Sequence, residues 1–169
     1  LGETDHQLKT RYYYNTLNQL IKQYTPDGDT TRFWYDRLGR IVVSQNARQR
    51  QNDQYSFTRY DNLGRIYQTG QLEQATEMTF AIALDNEDLF DWIDVGTNKR
   101  EISSTFYDNE ALPVGVHFTN SAQTNLRNRI SSVTWETVDD EDSLTCDYAT
   151  HYSYDVSGNV FTLIQELGG

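Results

Sequence analysis

The sequence predicts an all-β fold, laid out as an antiparallel meander of short hairpins. Three observations predict it. A seven-residue stretch, Tyr35-Asp36-Arg37-Leu38-Gly39-Arg40-Ile41, returns nearly unchanged as Tyr60-Asp61-Asn62-Leu63-Gly64-Arg65-Ile66. Aromatics are 13% of the 169 residues while all hydrophobic residues reach only 37%, so rings carry much of the apolar burden, and rings suit a pleated, half-buried surface. The chain leading into a repeat alternates with period two: Thr31, Phe33 and Tyr35 fall on one face and Arg32, Trp34 and Asp36 on the other.

Each element of the repeat has a physical reason. Asp36, Asp61 and Asp155 stand where a turn begins, and an Asp there accepts hydrogen bonds from backbone N–H groups two residues on. Gly39, Gly64 and Gly158 follow three residues later, where a type I turn with a bulge needs a positive φ that glycine adopts without steric cost. The return strands are then Ile41-Val42-Val43 and Ile66-Tyr67-Gln68. The third copy, Tyr154-Asp155-Val156-Ser157-Gly158-Asn159-Val160, keeps Tyr, Asp, Gly and the closing β-branched residue.

Looser copies begin at Tyr14-Asn15, with Asn18 at the glycine place, and at Tyr107-Asp108, with Ala111 there. Two more are conjectural, Leu84 to Asp88 and Thr124 to Ile130, the latter with Asn128 at the glycine place. Asn is the next most tolerant residue of a positive φ. Starts at 14, 35, 60, 84, 107, 124 and 154 are spaced by 21, 25, 24, 23, 17 and 30 residues. The last two sum to about twice the others, which marks the Thr124 copy as misplaced. Successive repeats are joined by turns such as Tyr24 to Thr31, where Pro26 precedes Asp27-Gly28. On this layout Tyr14, Tyr35, Tyr60, Tyr107 and Tyr154 would stack across neighbouring hairpins. Residues 85 to 94 read as strand, turn and strand, with a helix capped by Asn86 and carrying Leu89, Phe90 and Ile93 as the competing reading. Asn46 to Gln54 and Val138 to Asp142 read as long exposed loops.

Charge narrows the function. The net charge is −11, and residues 73 to 169 carry four Lys/Arg against eighteen Asp/Glu, so phosphate-neutralising patches are missing and nucleic acid is not an expected partner. The single cysteine, Cys146, excludes an internal disulfide and any cysteine-rich zinc module. No run approaches the ~20 apolar residues of a membrane span. Leu1 opens directly into polar sequence, as in a cytosolic chain or in a piece of a longer protein.

Catalytic and ligand chemistry is sparse. Cys146 and His151 are five residues apart, but residues at odd offset on a strand point to opposite faces, so the pair reads as an inert thiol near a histidine. His6, His117 and His151 lack metal-ligand spacing, and the acidic runs Asp85 to Asp88 and Asp139 to Asp142 lack the alternating ligands and glycine of a calcium loop. No cofactor, catalytic residue or metal ligand is expected. Trp34, Trp92 and Trp135 are candidate ligand-contact aromatics, with core packing the bland alternative. Arg40 and Arg65 are expected to pair with the Asp of a neighbouring hairpin.

Laid out this way, the chain resembles the YD-repeat, or Rhs-repeat, family. The resemblance rests on the copies at Tyr35 and Tyr60, the copy at Tyr154, and the Pro-Asp-Gly-Asp-Thr-Thr link into Tyr35; it is clear over residues 12 to 70 and degenerate over 71 to 169. What the resemblance implies is a single repeat array over 1 to 169, part of a larger secreted or cell-surface bacterial protein. Such proteins include Rhs polymorphic toxins and the cocoon subunits of insecticidal toxin complexes, with teneurins as animal relatives. Their repeats wind a β-sheet into a spiralled hollow shell, which in the toxins encloses a toxic domain. The implied partners are further repeats of the parent protein, an enclosed toxin domain, or a secretion or translocation component. An Asp-Pro-x-Gly self-cleavage core is not found, so the chain is expected to be an internal, non-catalytic stretch of shell. A surface adhesion or glycan-binding module of teneurin type is the alternative.

Overall fold

The computed structural model describes residues 8–109, 123–138 and 146–167. Ten strands follow one another in a single antiparallel sheet whose spatial order is the order of the chain. The strands are β1 (Arg11–Tyr14), β2 (Leu20–Thr25), β3 (Asp29–Tyr35), β4 (Ile41–Gln45), β5 (Gln54–Tyr60), β6 (Ile66–Glu73), β7 (Thr97–Tyr107), β8 (Ile130–Val138), β9 (Tyr148–Tyr154) and β10 (Val160–Leu167). Among the described residues three helices interrupt them: α1 (Ala47–Arg50), α2 (Phe80–Leu84) and α3 (Asn86–Asp94). The all-β meander expected from the repeats is the observed fold, with helices grafted into two of its connections.

The chain falls into two compact units, one of residues 1–58 and 71–97, the other of residues 59–70 and 98–169. In the first, the core is aromatic. Trp34 on β3, Tyr55 on β5 and Trp92 on α3 form a chain of rings, with centroids 6.2 Å apart for Trp34–Tyr55 and 5.0 Å apart, edge to face, for Tyr55–Trp92. Val43, Leu72, Ala83 and Ile93 close around them with almost no exposed surface. The chain leaving α3 packs closely on β6: a Cβ on Gly96 would sit 3.1 Å from both Leu72 methyls.

Helix α3 overturns the strand-turn-strand reading of residues 85 to 94, and with it the repeat copy at Leu84. The cap is Asp85, not Asn86: its carboxylate accepts from the N–H groups of Glu87 (3.0 Å) and Asp88 (3.3 Å), and those two acids sit favourably at the positive end of the helix. The buried stripe is Leu89, Trp92 and Ile93, while Phe90 stays 37% exposed. Burial of Trp92 against Tyr55 is a tertiary gain that local turn chemistry does not register. The expected loop from Asn46 to Gln54 likewise holds helix α1, started by a capping box in which Asn46 and Gln49 exchange side-chain and backbone bonds of 2.9 Å.

The second unit has a polar interior. Ser131, Ser132, Thr134, Thr150, His151 and Ser153 are buried beside Ile102, Leu126 and Ala149. The segment before β8 is strapped to β9: Gln123 Nε2 donates to the carbonyls of Ser131 (2.7 Å) and Tyr152 (2.9 Å), and Thr124 and Asn125 side chains donate to the Tyr154 carbonyl. This strap corrects the copy placed at Thr124. Tyr107 pairs with Ile130, as Tyr35 pairs with Ile41, so Tyr107-Asp108 and Leu126 to Ile130 are the two halves of one hairpin separated by an insertion. Ala111, offered as its glycine position, lies outside the described residues, and Asn128 takes the role with φ 58°.

Candidate functional site

The residues singled out by the repeat meet at the hairpin turns, and four turns are built alike. In the second hairpin Asp36 N–H donates to the Arg40 carbonyl and Gly39 N–H to the Asp36 carbonyl, both at 3.0 Å, which is a type I turn closed by a bulge. One oxygen of the Asp36 carboxylate accepts from the N–H groups of Leu38 and Arg40 (2.9 Å each). The other accepts from Arg40 Nε at 2.7 Å. The third hairpin repeats the set with Asp61, Leu63, Gly64 and Arg65 at 2.7 to 2.9 Å. In the last, Asp155, Ser157, Gly158 and Asn159 do the same, Asn159 Nδ2 standing in for the arginine at 2.9 Å. In the first, Asn15 Oδ1 accepts from the N–H groups of Leu17 and Gln19 as the Asp does, but the side-chain bond is reversed, Asn15 Nδ2 donating to Gln19 Oε1 at 2.6 Å. The glycine places have φ of 77°, 81° and 91° at Gly39, Gly64 and Gly158, and 60° at Asn18.

The arginine of the motif therefore belongs first to its own turn, a role that spacing did not reveal, and only then to its neighbour. Arg65 bonds its own Asp61 and, through NH2, Asp108 of the following hairpin, both at 2.7 Å. Arg40 bonds Asp36 of its own hairpin. Hydrogen bonding from Arg65 is the main reason that the Asp108 carboxyl is held below its usual range. At Asp61 partial burial pushes the other way, but the N–H groups of Arg65 and Leu63 and the Arg65 side chain outweigh it and the net shift is downward.

The side chain at the arginine place also crosses the next hairpin. The Arg65 guanidinium lies 4.2 Å from the Tyr107 ring centroid, and that of Arg129 lies 5.4 Å from the Tyr154 ring. A Cβ added to Gly158 would meet Arg129 at 2.6 Å, and one on Gly39 would meet Gln19 at 3.2 Å. Glycine is thus favoured by its φ, and at Gly39 and Gly158 a Cβ would also have to move the end of the side chain that passes over it.

The repeat tyrosines do not form the expected row of stacked rings at Tyr35, Tyr107 and Tyr154. Each hydroxyl instead donates, at 2.8 Å, to the carbonyl that opens the preceding hairpin's return strand: Tyr35 to Leu20, Tyr107 to Ile66, Tyr154 to Ile130. Successive repeat tyrosines sit two strands apart, about 9 to 10 Å, beyond the ~7 Å reach of ring stacking. The arginine fills that gap.

The other candidates separate by burial. Trp34 and Trp92 are each 5% exposed and belong to the core, Trp92 Nε1 donating to the Thr76 carbonyl at 2.9 Å; Trp135 on β8 is 37% exposed. Trp34 nonetheless forms part of a groove of about 420 Å³ with Phe33, Met78 and Phe80, flanked by the ion pair Arg32–Glu77 (2.9 Å). Cys146 and His151 share no hydrogen bond. Burial pushes the Cys146 thiol up, the nearby Glu136 adding to it, so it is a poor nucleophile. His151 is fully buried with Nδ1 2.6 Å from Ser132 Oγ. Of the acidic runs, Asp85 caps α3, and Asp139 to Asp142 lie outside the described residues, as do His6 and His117. Among the described residues no cluster of three or more His, Cys, Asp or Glu is arranged to hold a metal, and no helix is long and apolar enough to cross a membrane.

Comparison with known proteins agrees with this geometry. No curated protein matches the chain. The sequence profile of the RHS Repeat family matches residues 14–51, which hold the first hairpin, the Pro-Asp-Gly link and the second hairpin. The third and last hairpins are built on the same turn geometry, and the chain carries the Rhs/YD repeat, a structural repeat, over residues 14–51.

Proposed function

We propose that the chain is a non-catalytic segment of a secreted or surface bacterial Rhs-repeat protein, forming part of a β-sheet shell that encloses a toxin domain. One observation carries the reading: the polar groups that looked like chemistry are spent on structure. Asp36, Asp61 and Asp155 have both carboxylate oxygens bonded within their own turns, and Arg65 bridges two hairpins. A sheet whose neighbours are locked in this way suits a wall. The array spans 1 to 169 as one part of a longer polypeptide, with further repeats, the enclosed domain or a translocation component as partners. The test is protease protection of the intact parent polypeptide. A downstream domain that survives digestion while the repeats are folded, and is cut once they are unfolded, supports enclosure; a domain cut at the same rate in both states overturns it.

The adhesion or glycan-binding alternative draws on the exposed ring of Trp135 and the Trp34 groove. Binding on a glycan array that disappears in both Trp34→Ala and Trp135→Ala would favour it over enclosure.

A further inference from the structure

The groove lined by Trp34, Met78 and Phe80 has no role in the repeat turns, and its charge is unbalanced. It encloses about 420 Å³, within the range of small-molecule sites, and lies between β2, β3 and the segment that leads into α2. Trp34 and Met78 are nearly buried and Phe80 is half-exposed, so the groove has apolar walls with one side open to solvent. Three charged side chains also line it: Lys22, Arg32 and Glu77. Lys22 and Arg32 stand directly opposite each other in the β2–β3 ladder, a placement of like charges that costs stability. A single carboxylate in the lining answers them. Glu77 bonds Arg32 at 2.9 Å, while Lys22 has no carboxylate partner among the described residues, its ammonium lying 5.2 Å from the Tyr13 ring centroid. The groove therefore holds one cation in excess, in a chain whose net charge is −11.

We propose that this groove binds a small amphipathic carboxylate, its hydrocarbon or aryl body against Trp34, Met78 and Phe80 and its single negative charge at Lys22. The apolar walls select the body, because closing them over hydrocarbon removes apolar surface of both partners from water. The surplus ammonium selects the head. It is a compact point charge with three donors, suited to one carboxylate, whereas a phosphate dianion would call on the planar fork of Arg32, which Glu77 already engages. A neutral sugar suits the groove less, since its hydroxyls would leave water for walls with few polar groups to receive them. The ligand thus differs in kind from that of the glycan alternative, and its binding does not depend on what the sheet encloses.

Titration calorimetry with octanoate, octanamide and octylamine tests the assignment, because the three share a body and differ in the charge of the head. Octanoate is expected to bind saturably with a Kd below about 1 mM, octanamide at least about tenfold more weakly, the worth of one charge-assisted hydrogen bond, and octylamine most weakly. Lys22→Gln should bring octanoate to within about twofold of octanamide. Phe80→Ala should weaken both by a similar factor and leave the preference for octanoate in place. Without ligand, Lys22→Gln should melt at or above wild type, since it relieves the repulsion with Arg32, so its loss of binding is not a loss of fold. Octanoate that does not bind saturably overturns the proposal. So do equal affinities for the three heads, or a preference for octanoate that survives Lys22→Gln. Displacement of octanoate by methyl β-galactoside would overturn it in favour of the glycan reading.

Discussion

The Arg65 guanidinium lies 4.2 Å above the Tyr107 ring while its NH2 bonds Asp108 at 2.7 Å. One side chain thus closes its own turn through Asp61 and grips two successive residues of the next hairpin. Lysine keeps the charge but not the planar fork that serves two carboxylates and a ring at once. Melting midpoints should therefore fall in the order wild type, Arg65→Lys, Arg65→Ala. A lysine variant that melts with wild type would mean that charge alone is what the site uses.

Gly158 combines a positive φ with a side chain lying over it. Its φ is 91°, and a Cβ would meet Arg129 at 2.6 Å. Gly158→Ala should cost at least about 1 kcal/mol from backbone strain, with a further loss from the displaced guanidinium. The second part is separable: in an Arg129→Ala background the same glycine change should cost less, whereas a strictly additive double variant would place all of the cost in the backbone. Asn18→Gly, at φ 60° in the first hairpin, should be neutral or slightly stabilising.

How much of this was readable in advance depended on how local the physics was. Turn chemistry is local: Asp36, Gly39 and their copies are fixed by contacts within five residues, so the hairpins could be read directly. The pairing of Arg65 with Asp108 of the next hairpin was expected, whereas its bond to Asp61 within its own turn was not; the bonding of the repeat tyrosines depends on which strands end up adjacent and how far apart, which no single repeat encodes. Helix α3 ranked second to the strand-turn-strand reading because its decisive contact, Trp92 on Tyr55, joins residues far apart in the chain. The hairpin from Tyr107 to Ile130 was split in two because an insertion separates its Asp108 from its Asn128; the 2.6 Å bond between them is the evidence that they belong to one turn.

Trp92 holds α3 to the sheet through an edge-to-face contact with Tyr55 and a bond to Thr76, and α3 carries no other aromatic this deep. Trp92→Ala should cost about 3 to 5 kcal/mol, the usual range for emptying a buried indole site. Trp92→Phe should recover part of that, keeping a ring but losing the indole donor. An alanine variant within about 1 kcal/mol of wild type would mean that the helix docks by other means.

Acid should loosen the second unit through its turn carboxylates. Asp108, Asp147 and Asp155 are held below the usual carboxylate range by hydrogen bonds, first from Arg65, Thr137 and Asn159 respectively. A carboxyl depressed in the folded state contributes stability above its unfolded pKa, about 4, and loses it as pH falls through the folded value. Urea midpoints should be flat from pH 7 to about 5 on account of these groups and should drop below about 4. Asp108→Asn should shrink that acid-dependent drop, and an unchanged acid limb in the variant would remove Asp108 from the account.

His151 should add a separate slope at higher pH. It is fully buried between β8 and β10, its Nδ1 is engaged by Ser132 and its Nε2 lies 3.9 Å from the Glu166 carboxylate. Burial lowers its pKa and Glu166 only partly opposes this, so the folded state holds the imidazole neutral where the unfolded chain, with an ordinary value near 6.5, takes up a proton. Below that value the unfolded state binds more protons than the folded one, and stability falls with pH. The contribution is therefore fully present above about pH 7 and is lost progressively as pH drops through 6 toward 5. His151→Gln, which keeps a polar group facing Ser132, should flatten the slope between pH 7 and 5 relative to wild type measured in parallel. Parallel slopes in the two proteins would show that the imidazole is already protonated in the fold, paired with Glu166.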